Sequence, residues 1–182
     1  MFVKRERYRS GEKALTPREY EKLISVIDHL VDEVLIKLAV SIGARREDLA
    51  SIKVSDIDLD ELKLSFYEQK KRRIHTVPLS PEMARLITQL LNSRGKEQSE
   101  YLFPFTGRTA YDHLQKYCEK AGIPRRPFHA LRATCIKRCQ AAGWSPEQVA
   151  KLTGDTIAVI QEHYAWPSSS EMQEVAMDKP VI

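Results

Sequence analysis

Apolar side chains recur at helical spacing through most of this chain and alternate in one stretch only, which predicts a mainly α fold with a small antiparallel β-sheet (α+β). Thr16-Pro17 followed by Glu19 reads as an N-cap, a first-turn proline and a capping-box glutamate, opening a helix to about residue 29. Val34, Leu35, Leu38 and Ala39 share one side of a second helix, from about residue 32, which Gly43 closes; residues 45–52 make a short third. Ile57, Leu59, Leu62, Leu64 and Phe66 then alternate around Asp60-Glu61, and a basic run, 70–73, precedes Ile74-His75-Thr76-Val77-Pro78-Leu79. This is the pattern of a hairpin with a basic turn. Ser80-Pro81-Glu82 starts a helix to about residue 91, 92–100 is a polar loop, and a helix over 109–121 is halted by Gly122-Ile123-Pro124. Helices over about 129–142, 146–153 and 156–164 come next, and Ser168-Ser169-Ser170-Glu171 caps a last short one with Met172, Val175 and Ala176.

The 182 residues suffice for one sizeable core, with no Pro/Gly/Ser-rich linker to divide it. We expect residues 15–182 to fold as one domain with a tail from about 167. Residues 1–14, with Lys4, Arg5, Arg7, Arg9 and Lys13, are expected to be an extended basic arm or linker remnant. No apolar run approaches the roughly 20 residues of a membrane span, and the N-terminus lacks a signal peptide, so a cytoplasmic location is expected. Cys118, Cys135 and Cys139, odd in number and without a CxxC pair, fit buried thiols in that compartment better than a disulfide framework or a zinc site. Charge is unevenly placed: residues 60–140 hold 16 Lys and Arg against 8 Asp and Glu, a surplus of 8 in a chain of net +4. That surplus suits a polyanion groove, or equally a solvated surface of mixed charge.

The strongest chemical signal is Phe128-His129-Ala130-Leu131-Arg132. A histidine and an arginine spaced by three share one helical face and can converge on one phosphate, at a helix start whose N–H groups favour an anion. Transfer of a phosphodiester without a metal needs fixed positive charge, a nucleophile and a proton donor. Arg45 in Gly43-Ala44-Arg45-Arg46-Glu47-Asp48-Leu49 offers a second guanidinium fork, with Arg46 the alternative at the same helix start. Tyr164, 32 residues beyond Arg132, is either a nucleophile or an aromatic core residue in register with Ile157 and Ile160.

The order Arg45, Lys70, His129-x-x-Arg132, Tyr164 resembles the catalytic domain of the tyrosine recombinases, the phage-integrase family, over about residues 15–170. Gly43 to Leu49 is similar to that family's Gly-x-Arg-x-x-Glu-Leu box, with Asp48 where Glu is usual and holds the arginine. The resemblance makes Lys70, on the turn before Val77-Pro78-Leu79, the acid for the leaving 5′-oxygen; the alternative is a basic turn touching DNA backbone. It makes His129 an aid to proton transfer at Tyr164, Arg132 the rest of the phosphate clamp and Tyr164 the nucleophile. Leu152-Thr153-Gly154-Asp155 stands where the family has Leu-Gly-His, so Asp155 replaces the usual hydrogen-bond donor. A carboxylate there repels phosphate unless it is protonated or turned toward a cation.

The resemblance implies a site-specific recombinase or integrase domain that cleaves and rejoins double-stranded DNA through a 3′-phosphotyrosyl link, without metal, ATP or cofactor. Lys71, Arg72, Arg73, Arg125 and Arg126 are the candidate DNA-backbone contacts. Self-association on DNA is implied, up to a tetramer, with the C-terminal tail docking on a neighbour or packing in cis. Family members carry an N-terminal helical domain, so the chain reads as a catalytic fragment or minimal variant. The alternatives are a type IB topoisomerase-like enzyme, a non-catalytic DNA-binding relative, for which Asp155 argues, and a general polyanion-binding helical domain.

Overall fold

The computed structural model describes residues 9–96 and 99–182. Its helices are α1 (Pro17–Ser25), α2 (Leu30–Ile42), α3 (Arg46–Ala50), α4 (Pro81–Ser93), α5 (Gly107–Lys120), α6 (His129–Ala141), α7 (Pro146–Thr153), α8 (Ile157–Tyr164) and α9 (Ser169–Asp178). Strands β1 (Ile57–Asp58), β2 (Lys63–Glu68) and β3 (Arg73–Pro78) form an antiparallel sheet in the order β1-β2-β3. Among the described residues no helix is long and apolar enough to cross a membrane.

Local chemistry sets most of the helix starts. Thr16 accepts from the Glu19 N–H while the Glu19 carboxylate accepts from the Thr16 N–H at 3.0 Å, and Ser80, Ser145 and Ser168 cap α4, α7 and α9 in the same way from the N-cap side. Helix α1 stops at Ser25, short of the expected 29, where Asp28 is drawn onto Tyr117 Oη at 3.0 Å and Lys120 Nζ at 2.8 Å of α5. Helix α2 starts at Leu30 and is buried on most of its circumference: Val34, Leu35, Ile36, Leu38, Ala39, Val40 and Ile42 all lie inside, and the stripe of Glu33, Lys37 and Ser41 reaches solvent. Even its Asp32 is interior, satisfied by His113 Nδ1 at 2.7 Å and Tyr117 Oη at 2.8 Å.

Two apolar clusters result. The larger joins α2, α4 and α5 to the inner sheet face of Leu64, Phe66 and Val77; the smaller gathers Ala14, Ala133, Ile136, Val149, Ala150, Ile160 and Tyr164. Helix α6 is the wall between them, buried continuously over 130–136.

The expected basic arm lies partly outside the described residues, 1–8 being beyond them. Its remainder is not extended: Ser10–Lys13 form a 3-10 turn packed on α6 and α8. The tail forms α9, held in cis by Glu12 Oε2 accepting from Ser169 N at 3.2 Å, by Lys137–Glu171 at 3.3 Å, and by the pairs Thr16–Glu174 and Arg18–Asp178.

Candidate active site

Gly43, left-handed at φ +64°, ends α2 and turns the chain so that Ala44 and Arg45 enter α3 from the side of α6. Phe128, buried, anchors the start of α6, putting His129 and Arg132 on the same space. The β2–β3 turn supplies Gln69 and Lys70. Arg45, Lys70, and His129 with Arg132, from three separate segments, thus line one cleft of about 440 Å³ with Asp48 and Tyr111.

Arg132 is buried, and its guanidinium donates to Gly43 O, and to Thr153 O at 2.7 Å, while Nη2 meets Asp155 Oδ2 at 2.9 Å. It therefore staples the ends of α2 and α7 to α6. Asp155 is turned onto this cation, which answers the repulsion expected of a carboxylate beside a phosphate. Protein atoms around His129 desolvate it, and with the neighbouring Arg132 charge they hold its pKa below the ordinary imidazole value although the residue keeps solvent access.

The Asp48 box works differently from the expectation. Asp48 is buried, and its Oδ1 accepts from the Gln69 N–H at 2.9 Å, fastening the hairpin turn rather than gripping Arg45. Its Oδ2 has no partner among the described residues, and burial pushes its pKa up against the pull of the Gln69 N–H and Arg45. Arg45 is held instead by Glu68, Nη1 to Oε1 at 3.5 Å; this interior carboxylate also takes Arg73 Nε at 2.8 Å. Glu68 was missed because it reads as a strand-end glutamate, and only the alternation that puts Leu64 and Phe66 inward signals its burial.

The candidate DNA contacts divide. Lys70, Arg72 and Arg125 are exposed. Lys71 donates to Gly154 O and, together with His75 on Leu152 O at 2.7 Å, docks the hairpin onto the α7 end, while Arg73 pairs with Glu68 across the hairpin. Arg126 departs from its expected place on DNA: it is shielded and donates to both Glu19 oxygens at 2.7 Å. Arg46 pairs with Glu47 at 2.9 Å.

Tyr164 does not line the cleft. It is 2% exposed and sits in the smaller cluster against α6. Among the described residues no group of three or more His, Cys, Asp or Glu side chains forms a metal site.

A mainly helical domain with a three-stranded sheet, in which two arginines, a lysine and a histidine meet, defines a phosphate-handling class of protein. The chain belongs to the phage integrase family, whose sequence model matches residues 13–170. It is 26% identical over 175 residues to the tyrosine recombinase XerA of Pyrococcus horikoshii, across 91% of this chain and 61% of that one. The catalytic domain of bacteriophage HP1 integrase has the same fold, with a TM-score of 0.65 and 20% identity over 92% of this chain and 95% of that one. So has the XerH site-specific recombinase bound to its difH substrate, with a TM-score of 0.72 and 19% identity over 90% of this chain and 53% of that one. The chain thus spans about three-fifths of that XerA relative's length.

Proposed function

We propose that this chain is the catalytic domain of a site-specific DNA recombinase or integrase, which cleaves and rejoins DNA through a 3′-phosphotyrosyl intermediate. The observation that carries the reading is the convergence of Arg45, Lys70, His129 and Arg132 on one cleft from positions scattered over 88 residues of sequence. Membership of the phage integrase family and the DNA-bound XerH neighbour support double-stranded DNA as the substrate. Assembly on DNA, up to a tetramer, belongs to the same proposal.

In this reading Tyr164 Oη attacks the phosphorus. His129, kept neutral by its depressed pKa, accepts the phenolic proton. The guanidinium of Arg45, with that of Arg132 behind it, balances the charge that grows on the non-bridging oxygens. The bond to the 5′-oxygen breaks and Lys70 protonates the departing oxygen. A 5′-hydroxyl from another strand reverses the sequence, so the bond energy stays stored in the covalent link.

The test uses end-labelled duplexes nicked just 3′ of candidate scissile positions, so that cleavage releases a short fragment and traps the adduct. A covalent protein–DNA complex with the native chain and none with Tyr164→Phe is the expected result. A non-catalytic DNA-binding relative is the second reading, favoured by the Arg132–Asp155 pair and the burial of Tyr164. Tight binding of DNA that never yields an adduct would select it.

A further inference from the structure

We propose that residues 10–15 are a clasp over the nucleophile helix, which must release before Tyr164 meets DNA, and that the basic segment leading into it is what DNA pulls on. This rests on the reading of Tyr164 as nucleophile. A phosphorus must come within about 3–3.5 Å of the attacking oxygen. A side chain that is 2% exposed offers no such approach, so something covering it has to move.

Beside α7, which brings Val149 and Ala150 to the Tyr164 cluster, the cover has two sides of unequal strength. On one side stands α6, buried over 130–136 and shared by both apolar clusters. On the other is the 3-10 turn Ser10–Lys13, followed by Ala14 within Tyr164's own cluster. The turn reaches α8 through Ser10, whose N–H lies 3.4 Å, and whose Oγ lies 3.5 Å, from His163 Nδ1. Gly11 lies flat on the end of α8, so that a Cβ there would stand 2.7 Å from His163 O and 3.5 Å from Tyr164 Cα. The clasp is fastened at two further points, one at its C-terminal end and one midway. Leu15 N donates to Thr134 Oγ1 of α6 at 2.9 Å, and Glu12 holds Ser169 N at the start of α9. Long polar contacts over a short turn mark the segment of lower local stability, so it opens before α6 does.

The trigger is charge. Lys4, Arg5 and Arg7 precede the clasp in sequence, and the Arg9 guanidinium rests 5.6 Å from the Trp166 ring centre, beside the chain's exit from α8. Cations drawn to the DNA backbone would lift the turn that they lead into.

The first experiment reads the clasp without any activity. Acetylation of Tyr164 by N-acetylimidazole, followed by peptide mass spectrometry, should be slow in the native chain and roughly tenfold faster in Gly11→Ala, whose new Cβ collides with His163 O. Circular dichroism reports whether that variant keeps its helices. The second uses Ser10→Cys with His163→Cys, oxidised to tie the turn to α8. Adduct formation on nicked DNA should fall roughly tenfold on oxidation and return on reduction. The comparison is made at saturating DNA, because a clasp that DNA opens must bind DNA less tightly when tied shut, with the oxidised native chain as control for Cys118, Cys135 and Cys139. Equal acetylation in a folded Gly11→Ala variant, or undiminished adduct formation by the tied chain, overturns the proposal. If Gly11→Ala does not fold, acetylation of Tyr164 in the tied and reduced forms decides in its place. If neither the native chain nor the reduced variant forms an adduct, the nucleophile reading fails, and acetylation still decides whether the clasp exists.

Discussion

At Asp155 a single substitution separates two demands on Arg132, which must be held in place and must also face a phosphate. The 2.9 Å pair with Asp155 meets the first and competes with the second. Asp155→His should therefore cost stability, about 3 kcal/mol or less for a pair that is partly open on the Asp155 side. It should keep or raise adduct yield, because it frees that edge of Arg132 and adds a donor. Urea denaturation and the nicked-duplex assay measure the two effects; a folded variant with no adduct would give Asp155 a required role of its own. His129 gives a pH signature. Its folded pKa lies below the unfolded value near 6.5, so the unfolded chain binds the proton more readily between the two. Stability from this group is complete above about 6.5 and is lost as pH falls through the window down to the folded value. The fall in urea midpoint between about pH 7.5 and about pH 5 should be smaller in His129→Asn than in the native chain. These residues were legible in the sequence because motif spacing names them. Glu68 was not, since nothing local distinguishes a glutamate that enters the interior to hold two arginines from one that ends a strand in water.

Among the elements, the junction of α2, α6 and α7 depends on Gly43. Its φ of +64° is a conformation an L side chain adopts at a cost, and a Cβ there would stand 3.1 Å from Thr153 Cγ2 and 3.3 Å from Cys135 Sγ. Gly43→Ala should lose about 1–3 kcal/mol in urea unfolding and, by displacing the carbonyl that Arg132 donates to, lower adduct yield as well. Caps such as Thr16 with Glu19, Ser80 and Gly43 were readable in advance, because they satisfy backbone groups within a few residues. The wide burial of α2 was less so: one apolar side is a local pattern, whereas a helix that keeps little beyond the stripe of Glu33, Lys37 and Ser41 toward solvent is set by distant α4, α5 and α6. The turn at Ser10–Lys13 escaped for a different reason. It docks through backbone atoms of Ser10, Gly11 and Leu15, and a polar, basic stretch shows no apolar pattern to betray it.

For the whole molecule, the surplus of basic residues over 60–140 overstates what DNA can meet. Arg126 is spent inside the fold, and Lys71 and Arg73, though exposed, are engaged by Gly154 O and Glu68, leaving Lys70, Arg72 and Arg125 exposed near the hairpin turn and the approach to α6. DNA affinity should fall with salt. Lys70→Ala and Arg72→Ala should each reduce the slope of log affinity against log salt by about 0.9, the share of one phosphate that the variant no longer neutralises. Arg126→Ala should leave the slope unchanged and lower stability instead. Fluorescence anisotropy across a salt series separates these outcomes; an affinity indifferent to salt would remove the groove.

Helix α6 stands between the two apolar clusters, carries the histidine and arginine at its first turn and backs the tyrosine farther along. Most helices have a wet stripe where heredity can experiment at little risk. Over residues 130–136 this one has none, so a change that suits one neighbour is felt at once by the other. Variation that alters DNA preference is then expected on the hairpin turn and the exposed approach to the helix rather than along this bar of structure.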